Sequence, residues 1–228
     1  SALDSTALRG LRIGVVPSLF GKVAEELEVT SVLRAVVDTI KAHGAEVIDV
    51  TVPDLDTLIA RSGMIRHEFK WDLTDFLAER PNASVSAPSE IIDGGLHHLA
   101  LENGILNADT VSARGTEQYK LRLAARDELQ GAVLRALDDQ ALDVLTYPTL
   151  RRKSAVLGQS QYGGNCRISA HTGYPAITMP AGFTADGLPV GLEVLGRPRT
   201  DDRLVAIAYA FEAATRSRKP PYSTPQLV

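Results

Sequence analysis

The feature that most restricts the fold is a strand–helix–strand pattern in the first 50 residues. Residues 11–16 are an apolar run rich in β-branched side chains, and Pro17 ends it. Residues 30–43 carry apolar side chains at helical spacing, and Gly44 is a candidate C-cap. A second strand pattern follows over residues 45–50. Two strands joined by a helix through short links predict a parallel, right-handed crossover.

Helical and strand patterns continue to alternate along the rest of the chain. We predict helices over residues 54–80, 116–142, 165–172 and 201–216, strands over 143–147 and 176–179, a loop over 150–164 and a hairpin turn at 185–187. Such a long loop in a compact domain is uncommon and often functional. Together these elements indicate an α/β protein.

Two arginines interrupt the apolar stripe of the helix predicted over residues 116–142. Arg122 and Arg126 fall inside the stripe and not opposite it. Their stems could lie along the edge of the core with the charged ends in water. Alternatively, this face of the helix could meet a polar pocket or a further segment of protein.

Composition excludes several classes of function. The net charge of -4 and pI of about 5.7 disfavour electrostatic nucleic-acid binding, and the basic run Arg151-Arg152-Lys153 is expected to be solvated surface. A single cysteine, Cys166, excludes an intrachain disulfide and is expected to be a small buried packing residue. No apolar run approaches the length of a membrane span, so we expect no membrane partner and a cytoplasmic location.

Several motifs of catalytic or cofactor sites are incomplete. No glycine-rich phosphate loop follows the first strand. His67-Glu68 begins a zinc-binding pattern, but Trp71 stands where the second histidine would be required. Ser160 lacks the second glycine of a nucleophile elbow, because Tyr162 occupies that position. We therefore predict no metal site and no cofactor, and no Ser/His/Asp triad can be assigned.

A set of ordered segments is more specific in combination than any one of them alone. They are residues 143–149 (DVLTYPT), 173–182 (GYPAITMPAG), 187–196 (GLPVGLEVLG) and Phe211-Glu212, with smaller matches at Glu68-Phe69-Lys70 and residues 11–15. In order and spacing this pattern resembles the C-terminal half of amidase signature enzymes, over nearly the whole chain. Glu193 stands where that family usually has glutamine.

The resemblance implies a fold and an activity. The fold would be a mixed β-sheet flanked by helices, with residues 1–228 forming the C-terminal part of a single amidase-like α/β domain. The family hydrolyses carboxylic amides through an acyl-serine intermediate, using a Ser–cis-Ser–Lys triad and a Gly-Gly-Ser-Ser-Gly-like loop that lie upstream of the matched region. Neither Gly94-Gly95 nor Gly163-Gly164 borders a Ser-Ser pair. We therefore expect no catalytic residue in this chain, whose partners would be a small amide substrate and either the missing half or a second copy.

The loop and the helix start after it are the expected substrate-binding region. Gly163 and Gly164 would let the backbone approach a substrate closely. Asn165 could contact the substrate or cap the following helix, and Tyr147 could bind or simply pack. The candidate substrate-binding residues are Tyr162, Gly163, Gly164, Asn165, Arg167 and Tyr147. Two alternatives stay open: a small-molecule-binding module without catalysis, and part of an amidotransferase subunit.

Overall fold

A computed structural model describes residues 3–220, and residues 1–2 and 221–228 lie outside the described part of the chain. The chain divides into two compact units. The first contains the segments up to Pro53, Gly131–Ala155 and the chain from Gln161 onward, and the second contains Asp54–Gln130 and Val156–Ser160. Whether residues 1–228 are part of one amidase-like domain stays a prediction.

The first unit is built on a five-stranded mixed sheet. Its strands are β1 (Arg12–Val15), β2 (Glu46–Asp49), β3 (Val144–Pro148), β4 (Ala176–Phe183) and β5 (Pro189–Leu195), in the spatial order β2-β1-β3-β5-β4. β1 pairs in parallel with β2 and β3, whereas β5 pairs antiparallel with β3 and β4. The predicted parallel strand–helix–strand unit and the α/β class with a mixed sheet are confirmed.

Two helices cover one face of this sheet. α1 (Ala24–Ala42) and α8 (Asp201–Thr215) contribute Leu33, Val37 and Phe211 to a core shared with strand residues such as Val194. The buried side chains of each helix recur every three or four residues, so each helix presents one apolar stripe to the sheet. At about 25 cal/mol per Å² of apolar surface, this burial is the main force holding the helices against the strands.

The hairpin of β4 and β5 turns where the sequence predicts, but β4 is longer than expected. The prediction ended this strand at Met179, before Pro180, whereas pairing continues to Phe183 with a register shift between Pro180 and Gly182. Among the described residues β4 pairs only with β5, so it is an edge strand of this sheet. Edge strands and bulges tolerate proline because the missing N–H is not needed for the ladder.

The second unit is helical. It contains α2 (Leu55–Arg61), α3 (Ile65–Ala78), α4 (Pro88–Asp93), α5 (Leu99–Asp109) and the first part of α6 (Glu117–Asp139). The expected single helix over residues 54–80 is therefore wrong, because the chain breaks at residues 62–64. Arg122 donates to the Gly63 carbonyl at 3.0 Å and Arg126 to the Ser62 carbonyl at 3.1 Å. The two arginines thus bind the carbonyls of this break instead of extending into water.

The remaining short helix, α7 (Arg167–Thr172), follows the long loop. Cys166, immediately before it, is exposed, so the expectation that this cysteine packs in the interior is wrong. The neighbouring Asn165 is buried in its place. Within residues 3–220, no helix combines the length and the apolar character needed to cross a bilayer.

Candidate functional site

A buried carboxyl group lies at the centre of the sheet face opposite α1 and α8. Glu193 on β5 is the register partner of Tyr147 on β3 and of Thr178 on β4. The Tyr147 hydroxyl donates to Glu193 Oε1 at 3.0 Å, and the Ser169 hydroxyl of α7 lies 3.2 Å from the same oxygen. Three elements therefore converge on one carboxyl.

Burial governs the electrostatics of this cluster. It raises the pKa of Glu193, and the hydrogen bonds from Tyr147 and Ser169 partly oppose that shift. Burial also raises the pKa of Tyr147 well above its usual value, and the nearby Glu193 carboxyl adds to this rise. Tyr147 therefore keeps its proton and acts as a hydrogen-bond donor at neutral pH.

The loop after β3 is closed by contacts between its two ends. Leu150 and Gly164 form an isolated antiparallel bridge, and the Arg151 N–H donates to the Gly163 carbonyl at 2.9 Å. Gly163 has φ +82°, and a Cβ there would lie 3.3 Å from Arg151 Cβ. This position thus needs glycine for the loop itself, whatever its role toward a substrate.

The basic run in this loop is ion-paired. Arg151 and Arg152 both approach Glu26 Oε1, at 3.7 Å and 3.4 Å, and the Lys153 Nζ lies 2.7 Å from Asp186 Oδ2. The expectation of a merely solvated charge run is therefore incomplete. These pairs connect the loop to the start of α1 and to the turn between β4 and β5.

Asn165 joins two other segments through its side chain. Its Nδ2 donates to the Leu19 carbonyl at 3.0 Å and to the Pro148 carbonyl at 2.7 Å. Both amide hydrogens are thus used within the protein. The N-cap of α7 is Cys166, with no side-chain cap, so the capping role considered for Asn165 is not what the fold uses.

A cavity of about 350 Å³ opens beside the base of the loop. Its wall is mainly apolar, with Met179, Val190 and Leu150, and its polar side includes Thr149, Thr178 and Arg152. Thr149 and Thr178 bond to each other through their hydroxyls at 3.2 Å. A concave apolar pocket of this size with a few polar groups is typical of a small-molecule site.

The structure distributes the predicted substrate-binding residues in two groups. Tyr162, which is 65 % exposed, and Arg167 are on the surface, with Gly163 and Gly164 at the loop closure. Tyr147 and Asn165 are buried and already bonded inside the protein. Their substrate-binding role stays a prediction. Among residues 3–220, no cluster of three or more histidine, cysteine or acidic side chains could hold a metal ion.

Sequence reasoning missed the polar members of the cavity and the network around Glu193. Thr149 and Thr178 lie inside the quoted motifs, and Glu193 stands out as an unusual glutamate, but no periodicity joins them. The signal that could have found them is register: Tyr147, Glu193 and Thr178 are neighbours only when β3, β5 and β4 are placed side by side.

Comparison with known proteins defines the class of protein that has this sheet, hairpin and loop. The Amidase family model matches residues 1–205. The chain belongs to the amidase family, as the ordered motifs indicated.

Particular relatives agree with this assignment. A probable amidase of Arabidopsis thaliana is 26 % identical over 233 residues, covering 96 % of this chain and 41 % of that protein. A glutamyl-tRNA(Gln) amidotransferase subunit from a Psychrobacter species is 28 % identical over 228 residues, covering 90 % of this chain and 44 % of that protein. The native peptide amidase of Stenotrophomonas maltophilia superposes with a TM-score of 0.76 at 27 % identity, over 96 % of this chain and 46 % of that structure. The chain thus spans less than half the length of these relatives.

Proposed function

We propose that this chain is the C-terminal, substrate-pocket half of an amidase that hydrolyses carboxylic amide C–N bonds. The observation that carries the proposal is the family match over residues 1–205 together with the likeness to a peptide amidase over 96 % of the chain. The cavity between Thr149, Thr178 and Arg152 supports it, because it can hold a small organic group beside polar side chains.

The proposed chemistry proceeds through an acyl-serine intermediate. A serine oxygen adds to the amide carbonyl, the C–N bond breaks, and the leaving nitrogen departs with a proton. Water then attacks the ester carbonyl, releases the carboxylic acid and returns the serine. The nucleophile and the lysine base are proposed to lie outside this chain, which supplies part of the substrate-binding wall.

We assign the candidate substrate-binding residues two kinds of role. Tyr162, Gly163, Gly164 and Arg167 are accessible enough to contact a substrate directly. Tyr147 and Asn165 act as positioning residues, because their polar groups hold the strand and loop that carry the others.

The test is hydrolysis of a chromogenic anilide by the purified chain and by a longer protein in which an amidase N-terminal half precedes this chain. We expect no turnover by the 228-residue chain. Activity that survives Ser154→Ala, Ser160→Ala and Ser169→Ala one at a time, in a preparation freed of contaminating amidases, indicates a different nucleophile in this chain, whereas loss in one of them identifies that serine as the nucleophile. Either result contradicts the proposal.

The match to an amidotransferase subunit favours a second candidate. In that case amide cleavage would depend on partner subunits and would deliver ammonia to an acceptor instead of releasing it.

The same assay separates the candidates. Hydrolysis by the longer protein alone supports the free amidase. A longer protein that binds amides but cleaves none, with or without partners, supports the non-catalytic module. A cytoplasmic location stays a prediction for each candidate.

A further inference from the structure

The cavity beside the base of the loop has a wall that can select the charge of its ligand. Of the described residues that line it, Arg152 is the only one with an ionisable side chain. The other polar side chains of the wall are the hydroxyls of Thr149, Ser154 and Thr178, and the remaining side chains are apolar. This wall therefore carries one positive charge and no negative charge.

The guanidinium of Arg152 has hydrogen-bond donors that the protein does not use. Its Nε lies 3.4 Å from Glu26 Oε1. Its Nη1 and Nη2 make no hydrogen bond to residues 3–220 and are not enclosed by protein. The two terminal nitrogens of a guanidinium present parallel N–H groups that match the two oxygens of a carboxylate.

The carboxylates near this guanidinium are shared with other cations. Glu26 Oε1 also lies 3.7 Å from Arg151 Nε, so one carboxylate serves two guanidinium groups. Glu28 and Asp186 both lie against Lys153, at 3.6 Å and 2.7 Å. Three cations and three carboxylates balance across this network, but none of the three carboxylates lines the cavity. The part of the network that reaches the cavity is therefore positive.

The hydroxyls of the wall can donate to the same anion. The bond between Thr149 and Thr178 uses one hydroxyl hydrogen, so the other stays free to donate. The cavity also adjoins the loop that is proposed to contact the substrate, since Arg152 Cγ would lie 3.5 Å from a Cβ placed on Gly163. A ligand in the cavity would thus lie beside the substrate-binding loop.

We propose that this cavity binds the carboxylate end of an amide substrate, of the class formed by monoamides of dicarboxylic acids with a short apolar chain. The chain lies against Met179 and Val190, and the carboxylate accepts hydrogen bonds from the Arg152 guanidinium and from a wall hydroxyl. At about 350 Å³ the cavity is at the small end of ligand sites, which span about 300–1,000 Å³. That the ligand is an amide substrate rests on the proposed amidase function, whereas carboxylate binding does not.

Three probes of similar length test the role of charge. Adipamic acid, adipamide and 6-aminohexanamide share one amide end and differ in the other end, which is a carboxylate, a neutral amide or an ammonium. Their binding to the purified chain at pH 7 is followed by ligand-observed NMR titration. We expect adipamate to bind at least about threefold more tightly than adipamide, and the ammonium compound to bind most weakly. No saturation by adipamate up to about 10 mM, or equal binding of all three, overturns the proposal.

Salt gives a second measurement that needs no variant. Raising the ionic strength from about 20 mM to about 500 mM screens charges at a partly exposed site, so the preference for adipamate over adipamide should shrink. A preference that salt does not change contradicts recognition by a guanidinium.

Two variants and a control locate the site. Arg152→Gln removes the charge and should abolish the preference for adipamate over adipamide, whereas Arg152→Lys keeps the charge and should retain part of it. Arg66→Gln removes the same charge from an exposed position outside the cavity wall and should leave the preference intact. A preference that persists in folded Arg152→Gln, or that is lost equally in Arg66→Gln, places the binding elsewhere and overturns the proposal.

Hydrolysis by the longer protein tests whether the carboxylate belongs to the substrate. For a substrate, Arg152→Gln should raise KM for adipamate at least about threefold more than KM for adipamide. If Arg152→Gln only relieves inhibition by adipate, the cavity binds the released acid and the substrate assignment is wrong. A longer protein that hydrolyses neither amide contradicts the proposed function, and the binding titrations then still decide whether the cavity takes a carboxylate.

Discussion

At the scale of single residues, the most consequential feature is Glu193, a glutamate at a position where the family usually has glutamine. Glu193 is only 3 % exposed, and the hydrogen bonds that the described residues make to its Oε1 come from two hydroxyls, those of Tyr147 and Ser169. Hydroxyls stabilise a carboxylate less than a cation does, so burial outweighs the two hydrogen bonds and the pKa of Glu193 is raised. Glutamine at this position could accept the same two hydrogen bonds through its carbonyl oxygen and would carry no charge at any pH.

This leads to a prediction about stability and pH. The folded-state pKa of Glu193 is raised above its ordinary value of 4.5, so its contribution to stability is fully present below that pH and is lost as the pH rises through the folded pKa. Glu193→Gln has no such loss. The free energy of unfolding of the variant, relative to the natural chain, should therefore increase between about pH 4 and about pH 8.

Urea denaturation at the two pH values measures this difference. The matched control is Glu79→Gln, which removes an exposed carboxylate. If Glu193→Gln raises the free energy of unfolding by the same amount at both pH values, the result contradicts the argument, because a packing effect alone does not depend on protonation.

Asn165 gives a second prediction at the residue scale. Asn165→Ala leaves the carbonyls of Leu19 and Pro148 without the donors that they now have. We expect the free energy of unfolding to fall by about 1–3 kcal/mol. Cys166→Ala is the matched control, since this exposed neighbour should change stability by no more than about 0.5 kcal/mol. Equal effects of the two substitutions would mean that the hydrogen bonds from the Asn165 side chain contribute nothing to stability.

At the scale of elements, the sequence predicted what depends on local pattern and missed what depends on placement. The crossover of β1, α1 and β2 follows from periodicity, and the β4–β5 hairpin follows from its turn residues. The break at residues 62–64 did not follow, because Arg122 and Arg126, some sixty residues later, bind its carbonyls. The sequence predicted that Cys166 is buried, but Asn165 is the buried residue and Cys166 is exposed. Which of these two neighbours is buried likewise depends on partners that are distant in the sequence.

The candidate site was predictable to the same extent. The position of the loop follows from its length and its two glycines, and the motifs on β3, β4 and β5 are recognisable in the sequence. Which side chains meet across these strands was not accessible from the sequence, since a shift of one residue in the register of β3 and β5 would have placed Tyr147 and Glu193 on opposite faces of the sheet.

Gly191 allows a test of this strand packing. A Cβ at this position would lie 2.9 Å from Thr178 Cγ2 and 3.0 Å from Thr149 Oγ1. We expect Gly191→Ala to destabilise the chain by about 1–3 kcal/mol through overpacking. Chemical denaturation of Gly191→Ala, Thr178→Ala and the double variant forms a thermodynamic cycle. Part of the loss should be recovered when Thr178 is shortened, and strict additivity would show that this contact is not the cause.

At the scale of the whole molecule, the second unit leaves many apolar side chains in water. None of the fourteen residues of α3 is buried, and Ile65, Phe69, Leu73 and Phe76 of this helix line a groove of about 440 Å³. Large exposed apolar residues elsewhere in the described part of this unit are Leu96, Leu99, Leu101, Leu106, Leu121, Leu123, Val156 and Leu157. Isolated exposed leucines are normal, but a groove and a set of this size are typical of surfaces that bind another protein segment.

We therefore predict that the purified 228-residue chain associates or binds apolar dyes at micromolar concentration. Each Å² of apolar surface left in water costs roughly 25 cal/mol, and an uncovered face can recover this by contact with a second copy or with the rest of a longer amidase. Light scattering gives the mass and dye fluorescence gives the exposed surface. Leu99→Gln, at a position that is 79 % exposed, should reduce both signals, whereas Glu79→Gln should leave them unchanged. A compact monomer that binds no dye would contradict the half-enzyme proposal and favour an independent binding module.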